Sequence, residues 1–584
     1  MNEDGFFITK VLRLSRCAPQ KRVRSIACFP RKEVLRLSRC APQKRVRNIA
    51  CFPRKEVLRL SRYAPQKRVP LVINLSRRWD DTKKEWCMHF IYLFENDFYA
   101  LFPELFLTTV TMLLLMFGVV WSTSKAHGYP VLVHTVAWLG VWSLFCTFLL
   151  TMHMPFSVMV CFYNSFVIDE LTGFLKALIL CSAAAAMLMS MDYLKTSVLN
   201  VFEYSILLLF STISMLFLVS SYDFISLYLA IEMQSLCFYV LAASKRHSEF
   251  STEAGLKYFL LGAFSSGILL FGCSLVYGFT GMTNFEDVAK CLAYSSHMQS
   301  HHSLVHIGMC LLAVGFLFKL TAAPFHFWAP DVYEGAPTSV TAFFAITPKI
   351  ALLGVFVRLL LCSFYDMLFA WQYVLFFCSV CSLLVGAFGA MAQKKIKRLL
   401  VYSSVGHVGY LLIGLCCGTV EGLHAVLLYL VIYVVMTVNM FAAILSCVDQ
   451  TGTQRIKYIQ DLGLLAQTHP VLALTMSATL FSMAGIPPLA GFCSKFYLFF
   501  AAMGSSLYGL AVLGVLSSVV SCFYYIRVIK TMYFEQPTQV VTFKQMDHEK
   551  AILLSLSACF IVFFFLFPQS LFLWTYKIAY VFLG

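Results

Sequence analysis

Apolar residues run through most of this chain in long unbroken blocks, not at the alternating or three-four spacing of an element with one wet face. From about residue 98, fourteen such blocks follow one another between short polar connections. They fall near 101–121, 131–151, 166–191, 201–219, 222–243, 254–278, 304–323, 338–361, 371–391, 398–417, 423–447, 470–490, 506–530 and 550–575. A helix needs about 20 apolar residues to cross a bilayer, because every backbone amide must be satisfied inside the segment. The pattern predicts an all-α polytopic membrane protein of about 14 transmembrane helices.

Composition agrees, with 59% of the 584 residues hydrophobic and 13% charged, far from a soluble domain. The formal charge of +16 suggests nucleic acid or an anionic surface as a partner until it is located. Residues 1–87 hold 23 basic and 7 acidic side chains, which leaves 22 of each in the body. The body is neutral, so the partner implied is the lipid bilayer and no nucleic acid. Within the arm, residues 11–69 repeat with a period of 23, as in VLRLSRCAPQKRVRSIACFPRKE, and the units hold too few apolar residues to stack as a solenoid. The expectation for 1–87 is a disordered arm that is cleaved as a targeting segment, or never translated ahead of a start at Met88.

Loop charges orient the body. Lys195, Lys245, Arg246, Lys394, Lys395, Lys397 and Arg398 lie in or beside odd-numbered connections, whereas the even-numbered ones offer Lys290. The positive-inside rule then places the odd connections on the matrix or cytoplasmic side, with residues 88–584 as one transmembrane domain.

Against this background the ionisable residues inside apolar stretches stand out: Glu232, Lys257, Lys319, Lys349 and Lys495. A charge at the bilayer centre costs on the order of 3 kcal/mol on insertion scales, so several in one chain point to function. Lys257 and Lys495 lie near segment ends, where snorkelling to the interface is the competing reading. Two of the stretches are also interrupted: FKLTAAPFHFWAPD after Lys319, and AGIPPLAGFCSKFY before and around Lys495. Proline removes a donor and frees a carbonyl, which membranes tolerate where the backbone lines protein or water. Broken helices at matching places in two halves mark transport sites built from inverted repeats.

The spacing supports two halves. Glu232 precedes Lys319 by 87 residues, and His407 precedes Lys495 by 88. An offset of five spans maps span 5 on span 10 and span 7 on span 12, and an odd offset reverses the orientation of the unit. The chemistry expected is proton storage and transfer. A lysine in low dielectric is poised between charged and neutral, and a nearby carboxylate tips it. A histidine passes protons between its two ring nitrogens. Asp169 and Lys176, seven apart, are expected to pair on one helix face. His326, Asp331 and Glu334 either cap the helix after span 7 or pass protons, and Arg358 is expected at the interface. The C-x-x-C of Cys378 and Cys381 lies in an apolar run with no second pair or histidine nearby, and is expected to pack.

The stretches AIEMQSLCFYVLAASKR, STEAGLKYFLLGAFSSGILLFG, GFLFKLTAAPFHFWAPDVYEGAPT, KRLLVYSSVGHVGYLLIG and AGIPPLAGFCSKFYLFFAA resemble the subunit 2 family of respiratory NADH dehydrogenase, complex I, over residues 90–575. The resemblance implies an antiporter-like, proton-translocating membrane-arm subunit of the mitochondrial inner membrane, related in fold to Mrp-type antiporters. It implies Glu232, Lys257, Lys319, Lys349, His407 and Lys495 as the proton relay, and other membrane-arm subunits as partners. NADH, FMN, iron-sulfur clusters and ubiquinone belong, by the same resemblance, to the whole complex, with no cofactor or metal bound by this chain. The chain itself shows no iron-sulfur cysteine pattern, no G-x-G-x-x-G in a βαβ context and no haem motif. The same lysines and breaks would also serve a stand-alone cation/proton antiporter, and a structural spacer is the reading without transport.

Overall fold

The computed structural model describes residues 97–121, 133–154, 158–196, 202–295, 299–448, 456–535 and 546–583. The readings of the 1–87 arm lie outside them. The described chain is helical almost throughout: α1 (Phe102–Trp121), α2 (Val133–His153), α3 (Glu170–Thr196), α4 (Glu203–Ser220), α5 (Phe224–Ala242) and α6 (Glu249–Thr280). A short helix α7 (Phe285–Ser295) precedes α8 (Gln299–Lys319), the two-turn stub α9 (Trp328–Gly335) and α10 (Thr338–Arg358). Then come α11 (Leu368–Met391), α12 (Ile396–Cys417), α13 (Val420–Ser446), α14 (Pro470–Ala484), α15 (Ala490–Gly504), α16 (Tyr508–Phe534), α17 (His548–Phe563) and α18 (Gln569–Leu583).

Among the described residues, twelve helices are long and apolar enough to cross a membrane whole. The other two of the fourteen expected spans are the interrupted ones. Span 7 ends as α8 at Lys319, and span 12 is split into α14 and α15. Two elements differ from the sequence reading. Span 14 was expected as one segment to residue 575, but the helix stops near Leu566 and Pro568 starts a new one, α18. A short antiparallel hairpin, β1 (Met159–Cys161) with β2 (Phe166–Ile168), takes up what was read as the start of span 3. Three-residue strands are too short to leave a periodic signal.

The charged contacts sort by side. Lys550 meets Asp192, Arg398 meets Asp331, and Lys395 meets Glu334, all at or beside odd-numbered connections. Arg358 meets Asp169, Lys577 meets Glu170, and Asn164 meets Asn284, all at even-numbered ones. A miscounted span would mix these sets, so the contacts support the alternation inferred from loop charge.

Helices α10, α12 and α13 form the centre. Every residue from Ser339 to Arg358 in α10 is buried, as are nearly all of α13 and most of α12. Helices α11 and α12 approach closely where Gly386 faces Gly406, and a Cβ on Gly386 would collide with the partner backbone. This enclosed centre carries Lys349, His407 and the tyrosines described below.

Candidate functional site: a buried lysine, histidine and tyrosine relay

Three proline interruptions build the site. In α10, Pro348 has no amide to offer the carbonyl four residues back, Phe344 O. The Tyr333 hydroxyl donates to that carbonyl at 3.1 Å instead. Lys349 follows Pro348 and is 3% exposed, and its Nζ donates to the Tyr433 hydroxyl at 3.0 Å. Tyr433 in turn donates to Ala345 O at 3.2 Å.

In span 12 the residues four before Pro487 and Pro488 are Met483 and Ala484. Helix α14 ends there because Gly485 takes the left-handed conformation, φ +89°. The two carbonyls left without amides are the two that Lys495 uses, its Nζ donating to Met483 O at 2.9 Å and Ala484 O at 3.0 Å. The half-helices are joined across the break by the Gly491 amide donating to Ser482 Oγ at 3.0 Å. Lys495 is 5% exposed and its ammonium lies 5.0 Å from the centre of the Tyr410 ring. The competing reading, a lysine snorkelling to the interface, is therefore not what Lys495 shows.

Span 7 breaks differently. Helix α8 closes with the Leu320 amide bonded to Phe316 O, and Thr321 turns the chain with φ +66°. That conformation costs a non-glycine residue on the order of 1–3 kcal/mol and is kept where function fixes the backbone. Phe318 O accepts both the Thr321 amide at 3.1 Å and the indole Nε1 of Trp328 at 3.0 Å. Lys319 Nζ donates to Ser266 Oγ of α6 at 3.1 Å. Glu232 of α5 acts on Lys319 electrostatically without forming an ion pair within 4.0 Å. Its Oε2 accepts from Ser235 Oγ at 3.2 Å, and its buried Oε1 has no hydrogen-bond partner.

Two small chambers connect these groups. The first, about 20 Å³ and so large enough for a water, is lined by Gln234, Ser235, Tyr258, Lys319, Tyr333 and Lys349 among others. The second, about 10 Å³, is lined by Ser403, His407, Tyr410, Lys495, Ser517, Ser521, Tyr524 and Tyr525. His407, 3% exposed, lies between them. Its Nδ1 is 2.6 Å from the Tyr429 hydroxyl and its Nε2 is 3.3 Å from the Tyr525 hydroxyl. The Tyr433 ring that receives Lys349 stands 5.3 Å, centre to centre, from the imidazole. The structure thus joins Lys319 and Lys349 in one chamber and His407 and Lys495 in another, with Tyr433 between.

Lys257 is not in this set. Its side chain is 42% exposed and pairs with Glu253 at 2.7 Å and Asp331 at 3.3 Å. Helix α6 begins at Glu249, so Lys257 lies only two turns in, where a long side chain reaches the surface. Asp331 and Glu334 of α9 join the same surface network, meeting Arg398 and Lys395 of the α12 start. His326 is buried in the break, and its carbonyl accepts the Ala329 amide at the start of α9. Cys378 is a buried free thiol and Cys381 is half-buried beside it.

Two other expectations are corrected. Asp169 and Lys176 do not pair: Lys176 meets Glu104 of α1, and Asp169 meets Arg358 at 2.6 Å. Asp169 precedes α3 and accepts the Thr172 amide at 2.8 Å, so it caps the helix instead of lying along it. Arg358 is 1% exposed, not interfacial, because that carboxylate draws it inward under the Tyr222 ring.

The sequence reading missed the tyrosines. Tyr429 and Tyr433 are one helical turn apart on α13, and Tyr525 comes from α16. A proline's i−4 carbonyl was the available signal, and it leads to Tyr333 through Pro348.

Two half-helix breaks, each holding a lysine, on either side of a central lysine and histidine, define a membrane subunit of the antiporter type. The comparisons agree. The family model for NADH:quinone oxidoreductase and Mrp antiporter membrane subunits matches residues 221–521. NADH-ubiquinone oxidoreductase chain 2 of Marchantia polymorpha is 58% identical over 490 residues, 83% of this chain and 99% of the relative. The Arabidopsis thaliana chain 2 is 51% identical, over 83% of this chain and 96% of its own length. NADH-quinone oxidoreductase subunit N of Rhodospirillum rubrum is 45% identical, over 80% and 94%. Respiratory complex I from Thermus thermophilus with bound aureothin contains a chain that aligns with TM-score 0.67 at 26% identity, covering 80% of this chain and 98% of that one. The Mrp complex from Dietzia aligns with TM-score 0.71 at 19% identity over 83% and 98%, a likeness of fold. The chain belongs to the NADH-ubiquinone oxidoreductase chain 2 family of these antiporter-like subunits.

Proposed function

We propose that this chain translocates protons in the membrane arm of an NADH:ubiquinone oxidoreductase of the mitochondrial inner membrane, beside other membrane-arm subunits. Electron transfer among NADH, FMN, iron-sulfur clusters and ubiquinone takes place in the rest of that complex. Here Glu232 and Lys319 take up the electrostatic signal, Lys349 and His407 carry the proton across the centre, and Lys495 delivers it to the second break. The observation that carries the reading is the enclosed run from Lys319 through Lys349, Tyr433 and His407 to Lys495, made of proton-exchanging groups in contact or sharing a chamber. A buried amine beside freed carbonyls and hydroxyls is held ready to gain or lose a proton when a neighbouring charge changes. Lys257 serves as a surface tie for α9.

The test is the ratio of protons translocated to NADH oxidised in membranes carrying Lys319→Ala in an assembled complex. A lower ratio is expected. The wild-type ratio would remove Lys319 from the route.

A further inference from the structure

The relay reading names His407 and Lys495 but no group that passes the proton between them. Both imidazole nitrogens face phenols, Tyr429 at Nδ1 and Tyr525 at Nε2, and no carboxylate of the described residues pairs with the ring. The two phenols are not equivalent. Tyr525 lines the chamber that holds Lys495, whereas Tyr429 lies outside its lining. Ser403 and Tyr524 line the same chamber.

Resting on that reading, we propose that Tyr525 is the residue that conducts the proton between His407 and the Lys495 chamber. A phenol hydroxyl both accepts and donates. The His407 imidazolium gives its Nε2 proton to the Tyr525 oxygen as the original Tyr525 O–H proton leaves to a chamber water. That water passes a proton to neutral Lys495. The step ends with neutral imidazole, an intact phenol, an unchanged water and an ammonium, so one proton has moved and no phenolate has formed. The chamber, about 10 Å³, holds about one water. His407 also lines this chamber, but both of its ring nitrogens are engaged by phenols, so its exchangeable proton meets Tyr525 before the chamber water.

The experiment compares Tyr525→Phe, Tyr429→Phe and Lys495→Met in the assembled complex, reconstituted in vesicles, reading protons translocated per NADH oxidised in H₂O and D₂O. Tyr525→Phe keeps ring and packing and removes only the hydroxyl. It should lose as many protons per NADH as Lys495→Met and flatten the solvent isotope effect on translocation. Tyr429→Phe should keep most of the ratio. Tyr525→Trp, whose indole donates but does not accept, should give the same loss where the phenylalanine variant fails to assemble. Wild-type pumping by Tyr525→Phe beside a defective Lys495→Met overturns the role of Tyr525 and leaves the relay standing. Wild-type pumping by Lys495→Met overturns both.

Discussion

The two broken helices solve the same problem in opposite ways. At the second break, Pro487 and Pro488 leave Met483 O and Ala484 O without amides, and Lys495 itself takes both. At the first, the backbone closes on itself, Phe318 O taking the Thr321 amide beside the Trp328 indole, and Lys319 binds a serine hydroxyl with Glu232 acting from a distance. Their surroundings follow. The first break has a carboxylate, and the second has hydroxyls and a histidine at the matching place in the repeat. Lys319 is thus set to respond to a neighbouring charge, while Lys495 is locked to backbone dipoles. Under the proposed relay, sensing falls to the first half and delivery to the second.

The contrast can be broken at the prolines. Pro487→Ala with Pro488→Ala returns the amide donors that compete with Lys495 for its two carbonyls. We expect translocation through this chain to fall at least tenfold in proton-pumping assays, with Pro324→Ala at the first break having a smaller effect. Equal effects would mean that Lys495 does not depend on the freed carbonyls. Next in size, Glu232→Gln removes the carboxylate on α5 that acts on Lys319 and should lower the ratio of protons to NADH severalfold while native gels show normal assembly. Trp328→Phe removes the indole from Phe318 O, which keeps the Thr321 amide, so the loss is one hydrogen bond worth about 1 kcal/mol. That variant should melt slightly lower by thermal denaturation of the purified complex and pump with a near-normal ratio. Smallest, Lys257→Ala breaks solvent-exposed pairs with Glu253 and Asp331, which water screens. It should leave the pumping ratio within error of wild type.

Much of the fold was legible because a bilayer forces each spanning segment to satisfy its own backbone, so fourteen apolar blocks announced fourteen spans. Glu232, Lys319, Lys349, His407 and Lys495 were legible for the related reason that charge in an oily segment is costly. What failed were pairings between distant segments. Arg358 and Asp169 are 189 residues apart, and no local spacing leads from one to the other. Lys257 was over-read because an apolar run does not reveal where its helix begins. The tyrosines were hidden by their number, 28 in the chain, since Tyr is at home on any apolar helix until its hydroxyl is seen to be bonded. The interrupted stretches held more than was taken from them, because the carbonyl four before each proline names the atom that needs a donor.

Lys349 is the one relay group that touches the first chamber and reaches His407 through Tyr433, so it tests the account most directly. Lys349→Met keeps the length of the side chain and removes its exchangeable protons. With assembly and NADH oxidation measured in parallel, reconstituted vesicles should show fewer protons translocated per NADH than wild type, by the same amount as Lys495→Met. An unchanged ratio in an assembled complex would contradict a proton path through the centre of this subunit.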